Sequence, residues 1–209
     1  MWYLVALGVV ISYLLGNLNG AVIVSSIYAH DDVRTHGSGN AGLTNFIRTY
    51  GPKIAVFVIL IDVGKALLAC FASGMLLAGY GYYKEGVAIG ALGVILGHAF
   101  PALLGFKGGK GILSGVTVAC MMDWRMGLLV FSIFLVAYIL TGYVSLGSVL
   151  SAGSFGFLYW LANPDAGILN ISVALFLSVM VVWMHRSNIV RLIKGQERKT
   201  NLLKKGKQS

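Results

Sequence analysis

Apart from Asp62 and Lys65, every Asp, Glu, Lys and Arg of this chain lies in a short polar island, and long apolar stretches fill the space between the islands. Those stretches run over 2–28, 54–80, 87–104, 126–140, 146–161 and 168–184. Apolar runs of about 18 or more residues cross a bilayer as helices. A further apolar stretch, 112–122, is too short to cross alone at about 1.5 Å per residue. It is expected to begin inside the Gly-rich run before it. With 11% charged residues among 209 and a mean hydropathy of +0.82, no part of the chain reads as a separate soluble domain; about 25% charge is usual there.

The sequence therefore predicts an all-α polytopic membrane protein of about seven transmembrane helices, forming one domain over 1–209 with a basic tail from about 192 to 209. The first apolar segment lacks a basic leader and is longer than a secretory h-region, so it is read as a span. Cys70 and Cys120 lie in apolar spans and read as inert buried thiols rather than a disulfide or metal site.

Seven crossings put the termini on opposite sides. All Lys and Arg except Lys65, Lys84 and Arg125 then fall on the C-terminal side. The positive-inside rule places that side, and the C-terminus, in the cytoplasm and the N-terminus outside. Four islands share the cytoplasmic face: 30–53, 106–111, 141–145 and the segment from His185. The external loops carry no comparable motif.

The first island holds Gly37, Gly39 and Gly42, which permit positive φ and close approach of backbone to a ligand. Successive N–H groups in such a turn make an anion-binding concavity. Ser38, Asn40, Thr44 and Asn45 add short neutral polar groups, and Arg48 adds a guanidinium suited to bidentate phosphate binding. Phe46, Ile47 and Arg48 suggest a short helix capped by Thr44 or Asn45, and a helix N-terminus is itself an anion site. In the second island two lysines flank Gly108 and Gly109; Lys110 is the stronger phosphate ligand and Lys107 the weaker. His98, inside the preceding span, reads first as a helix–helix hydrogen-bonding residue. Ser145 belongs to a third island of small hydroxyls at a span end. In the fourth, His185 and Asn188 share one helical face, and Glu197 is expected to pair with a neighbouring Arg. Asp62 and Lys65, at i and i+3 within a span, can pair on one helix face, with Lys65 reaching toward the cytoplasmic cavity.

This constellation is rich in anion donors and poor in carboxylates. Asp31 and Asp32 are adjacent and point apart, which argues against metal-dependent phosphatidyl transfer. There is no G-x-S-x-G elbow, and no His is followed by Asp at the H-x-x-x-x-D spacing. A transporter would place its site near the midplane and often carry paired repeats; the motifs here gather at one surface, and no repeat is evident.

Three segments carry a resemblance: Ser38-Gly-Asn-Ala-Gly-Leu-Thr-Asn45; Gly97-His-Ala-Phe-Pro101 with Phe106-Lys-Gly-Gly-Lys-Gly111; and His185-Arg-Ser-Asn-Ile189. They resemble the signature motifs of the bacterial acyl-phosphate:glycerol-3-phosphate acyltransferases, in the same order and over nearly the whole chain. Leu43 stands where the family usually has Ala, and Asn17-Leu-Asn-Gly20 replaces a Pro-containing turn; neither removes a candidate ligand.

The resemblance implies acyl transfer from a fatty acyl phosphate to the 1-hydroxyl of sn-glycerol 3-phosphate, giving lysophosphatidic acid and inorganic phosphate. It implies a bacterial plasma-membrane enzyme of phospholipid synthesis, with its site at the cytoplasmic face. Membrane lipid surrounds it, a soluble acyl-phosphate-producing enzyme supplies it, and no cofactor, metal or nucleic acid is expected. On this reading Ser38, Lys110, His185 and Asn188 are the catalytic residues and, with Arg48, hold glycerol 3-phosphate. Gly39, Asn40, Gly42, Thr44, Asn45, Lys65 and Ser145 cradle acyl phosphate, and His98, Lys107 and Glu197 support the site.

Overall fold

A computed structural model describes residues 1–200. The last part of the basic tail, with Lys204, Lys205 and Lys207, lies outside the described residues.

Among the described residues the regular structure is entirely helical. The α-helices are α1 (Trp2–Asn17), α2 (Gly20–Ala29), α3 (Leu43–Tyr50), α4 (Ala55–Ala78), α5 (Tyr83–Ala99), α6 (Ile112–Met122), α7 (Trp124–Thr141), α8 (Val144–Ala162), α9 (Ile168–Met184) and α10 (Arg186–Ile193). Single 3₁₀ turns occupy Val33–Thr35 and Ala102–Leu104. Five stretches are long and apolar enough to cross a membrane: Trp2–Ala29, α4, Tyr83–Leu104, α7 and α8. The α9–α10 pair makes a sixth if taken as one span, although it bends by 56°. Large apolar side chains such as Phe57, Leu68, Phe71, Leu140 and Val179 are exposed on the outer faces, an arrangement that suits lipid.

Three differences from the sequence expectation have physical causes. The first apolar segment is not one helix: α1 stops at Asn17, and α2 restarts at Gly20 with Asn19 as its cap, the Asn19 side chain accepting from Val22 N at 3.0 Å. Asn17 and Asn19 offer the backbone side-chain partners that compete with helix continuation. Helix α5 ends at Ala99 because Pro101 lacks an N–H and disfavours helix in the residue before it. Helix α6 begins only at Ile112, so the Gly-rich run ahead of it is non-helical and adds no length to the short helix.

Helix α5 is the central element, packed between α1 and α4. Its glycines let neighbouring backbones come close, as in small-residue helix packing. A side chain at Gly90 would meet Cys70 Cα at 2.8 Å on α4, and one at Gly97 would meet Gly16 Cα at 2.9 Å on α1. The main core draws on α4, α5, α6 and α9 through Ala66, Val94, Ile95, Val118 and Leu177. A second core, built on Met126, Phe155, Tyr159 and Ala174, joins α7 and α8 to α9. A third, built on Val33, Phe46 and Val58, seats α3 and the first island against α2 and α4. This small core fixes the polar loop on the membrane helices.

Candidate active site

The first island folds around one side chain. Asn45, on α3 and 2% exposed, accepts from Ser38 N at 3.0 Å and donates to Val33 O and His36 O, both at 3.0 Å. The positive φ of Gly37 (59°) and Gly39 (70°) turns the chain over it. Gly42 differs from expectation: its φ of −142° is extended, and it is itself the cap of α3, in place of Thr44 or Asn45. A side chain there would meet Asn40 Nδ2 at 2.7 Å and would require the Asn40 side chain to move. Ser38 and Arg48 are exposed; Asn40 and Thr44 are half-buried at the same rim.

Arg34 ties this loop to the second island. It pairs with Asp32 at 2.7 Å and donates to Leu104 O at 2.9 Å and Lys107 O at 3.3 Å. Hydrogen bonds from Arg34 hold the Asp32 carboxyl below the usual carboxylate range. An open polar groove lined by Arg34, Gly39, Gly105 and exposed Lys107 runs between the two loops.

The Gly-rich run doubles back over the end of α5. Gly108 N donates to Ala99 O at 3.2 Å and Gly109 N to His98 O at 3.0 Å. A side chain on Gly109 would strike His98 Nε2 and meet Ala41 O at 2.6 Å, so only glycine passes between the first island and α5. The fold thereby aims Lys110 at the last motif, where its ammonium donates to Asn188 Oδ1. Burial, with the positive charges of Arg191 and Arg186 beside it, lowers the Lys110 pKa to about 8 against the pull of Glu197.

The bend between α9 and α10 puts His185 at the cap of α10. It is 4% exposed, with Nδ1 2.8 Å from Val181 O. Asn188, one turn on, donates to Glu197 Oε1 at 2.8 Å, and Arg191 pairs with Glu197 at 2.6 Å. Burial pushes the Glu197 carboxyl up, but hydrogen bonding to Asn188 and Arg191 and the nearby Ser145 hydroxyl outweigh it and leave its pKa lowered. The Ser145 hydroxyl itself is buried without a well-formed hydrogen bond. The chain after α10 continues to Thr200, whose N–H donates to Gly142 O at 2.9 Å and whose hydroxyl lies 3.5 Å from Arg48. Residues from all four islands thus meet at one end of the bundle. An apolar cleft lined by Ile95, Gly111, Ile112, Gly115, Phe155 and Val181 opens one residue from Lys110.

Two expected acyl-phosphate ligands are already occupied. Both ends of the Asn45 amide are spent on its own loop. Lys65 is 3% exposed and lies 2.7 Å from each of Asp62 Oδ1, Leu18 O and His98 Nδ1. An ammonium has three hydrogens, so none is left for a ligand. The expected Asp62–Lys65 pair forms, and His98 makes the helix–helix contact its position suggested. The tie through Arg34 was missed; its place beside the first motif was the only signal.

A helical membrane bundle that gathers lysine, histidine, asparagine and arginine over glycine-shaped backbone at one end belongs to the class of integral membrane proteins with a cationic, anion-suited site at one end of the bundle. A sequence profile described as glycerol-3-phosphate acyltransferase matches residues 6–195. The chain belongs to the glycerol-3-phosphate acyltransferase family. It is 38% identical over 199 residues to the glycerol-3-phosphate acyltransferase of Clostridioides difficile (strain 630), covering 91% of this chain and 92% of the relative. Identity to that of Finegoldia magna is 37% over 201 residues, covering 94% and 96%. The crystal structure of PlsY (YgiH), an integral membrane glycerol 3-phosphate acyltransferase, superposes in its glycerol 3-phosphate form with a TM-score of 0.82 at 28% identity, over 95% of this chain and 96% of that one. Its lysophosphatidic acid form gives 0.79 at 27% identity.

Proposed function

We propose that the chain transfers a fatty acyl group from acyl phosphate to the 1-hydroxyl of sn-glycerol 3-phosphate, releasing lysophosphatidic acid and inorganic phosphate. The observation that carries this reading is the junction of Lys110 with Asn188, which brings the Gly-rich motif and the last motif to one point beside His185. Lys110, His185, Asn188 and Arg48 hold glycerol 3-phosphate, with Ser38 near its hydroxyls. The backbone of 39–42, the side chains of Asn40 and Thr44, and Ser145 receive the acyl phosphate. Its chain lies in the apolar cleft that begins at Gly111.

Acyl phosphate is a mixed anhydride with a good leaving group. The glycerol hydroxyl attacks the acyl carbonyl carbon, and the oxyanion collapses by breaking the bond to the phosphate oxygen. The departing phosphate takes the hydroxyl proton. Orientation and stabilisation of developing negative charge then supply most of the catalysis, and no side chain is required as a base.

The same reading makes 1–209 one domain of about seven crossings, the short helix α6 counted as one beside the six longer stretches, in a bacterial plasma membrane, N-terminus outside and site in the cytoplasm, fed by a soluble acyl-phosphate-producing enzyme. The distribution of Lys and Arg supports this orientation. The test is a detergent assay of purified protein with palmitoyl phosphate and labelled glycerol 3-phosphate, with palmitoyl-CoA and Arg48→Ala as comparisons. Labelled lysophosphatidic acid from acyl phosphate alone, lost in the variant, supports the reading. No product from folded, monodisperse protein overturns it.

A further inference from the structure

We propose that Asp62, Lys65 and His98 form a buried positioning triad that sets the backbone around Lys110, and with it the placement of that ammonium for glycerol 3-phosphate; this rests on the role given to Lys110 above.

The triad sits in the break between α1 and α2 with matched polarity. A helix C-terminus carries partial negative charge and an N-terminus partial positive charge. Lys65 Nζ donates to Leu18 O at 2.7 Å, with Gly16 O at 3.4 Å, at the end of α1. Asp62 Oδ1 accepts from Gly20 N at 3.2 Å, at the start of α2. The pair thus satisfies backbone groups that an interrupted apolar helix leaves bare. This accounts for two charges at sites 2% and 3% exposed.

His98 transmits that anchoring to the site. With the Lys65 ammonium 2.7 Å away, Nδ1 accepts a hydrogen bond and the ring proton resides on Nε2. One edge of the imidazole is thereby pinned. The opposite edge forms the floor of the Gly-rich run, since side chains built on Gly109 and Gly111 would meet Nε2 and Cδ2 respectively, the latter at 3.9 Å. Lys110 is the residue between those two glycines. A second tie runs from Ser114 Oγ at the start of α6 to Asp62 O at 3.1 Å, and a third from Asn19 Nδ2 to Ala41 O at 3.0 Å. The three buried groups thereby support the Gly-rich run around Lys110, while Asn19, at the same break in the helix, holds the first island.

The test is a double-mutant cycle on full-length protein in detergent, reading sn-glycerol 3-phosphate affinity by calorimetry alongside KM and kcat. His98→Leu is expected to weaken binding about tenfold and to have no further effect once Lys110→Ala is present, as coupled neighbours behave. His98→Asn, whose Oδ1 replaces Nδ1 as the acceptor for Lys65, is expected to recover most of the affinity. If His98→Leu is not monodisperse, Ser114→Ala enters the same cycle, with the same pattern expected at smaller amplitude. An unchanged affinity in these variants, or effects that multiply with Lys110→Ala, overturns the triad while leaving the functional reading intact. Normal binding in Lys110→Ala itself overturns both.

Discussion

Lys110 and Asn188 are 78 residues apart, yet the lysine ammonium donates directly to the asparagine carbonyl oxygen. The contact joins the Gly-rich run to the first turn of α10 and places a partly buried cation beside Arg191 and Arg186. The pH response of the site follows from it.

The Lys110 pKa is lowered to about 8, first by burial and then by Arg191. If the cation holds the phosphate of glycerol 3-phosphate, kcat/KM for that substrate falls as pH rises through about 8, because kcat/KM reports the free enzyme. Arg191→Gln moves the fall to higher pH. The stability effect has the opposite sense. Between the folded value of about 8 and the ordinary 10.5, the unfolded chain holds a proton that the folded chain has released, so this group's contribution to stability rises with pH. A pH series of kinetics and of thermal midpoints checks both.

Lys65→Met leaves Asp62 buried and unpaired and strips Leu18 O of its donor. Breaking a buried pair costs about 3–5 kcal/mol, to be read as lost thermal stability. Asp62→Leu together with Lys65→Met recovers part of the loss. A direct substrate ligand would instead lose affinity at nearly normal stability.

Asn45→Ala removes one acceptor and two donors inside a loop that has no substitute for them. Leaving such groups unsatisfied costs about 1–3 kcal/mol each. Hydrogen exchange over 33–42 should rise, with KM for acyl phosphate rising in parallel. Asn45→Asp, which keeps the acceptor for Ser38 N but no donor, is expected to fare little better.

Two glycines separate backbone demand from mere helix propensity. Gly109→Ala drives a methyl into His98 Nε2 and toward Ala41 O, and should abolish activity in a protein that still inserts. Gly64→Ala meets nothing within 4 Å and is expected to be neutral or stabilising by up to about 1 kcal/mol. Parallel assays of turnover and melting temperature distinguish them.

The polar islands and the helices between them were legible because apolar length and Lys/Arg placement are local signals. The spacing of His185 and Asn188 suggested one helical face; the bend between α9 and α10, which puts His185 at the cap and Asn188 one turn on, was not legible. The Asp62–Lys65 pair was readable from i, i+3, but its third member was not: His98 comes from another helix, and only packing through the glycines of α5 brings it within reach. Asn45 looked like a ligand because its chemistry suits one; that its amide is consumed by Val33, His36 and Ser38 depends on the path of the loop. The break at Leu18 had a signal in Asn17 and Asn19, outweighed by the apolar run on both sides.

That break makes the N-terminal end dependent on a distant part of the chain. The donor for Leu18 O and the acceptor for Gly20 N both reside on α4. The first segment therefore cannot complete its own backbone pairing. It acquires that pairing only when α4 packs beside it, so the conformation of the N-terminal end is governed by residues near the middle of α4.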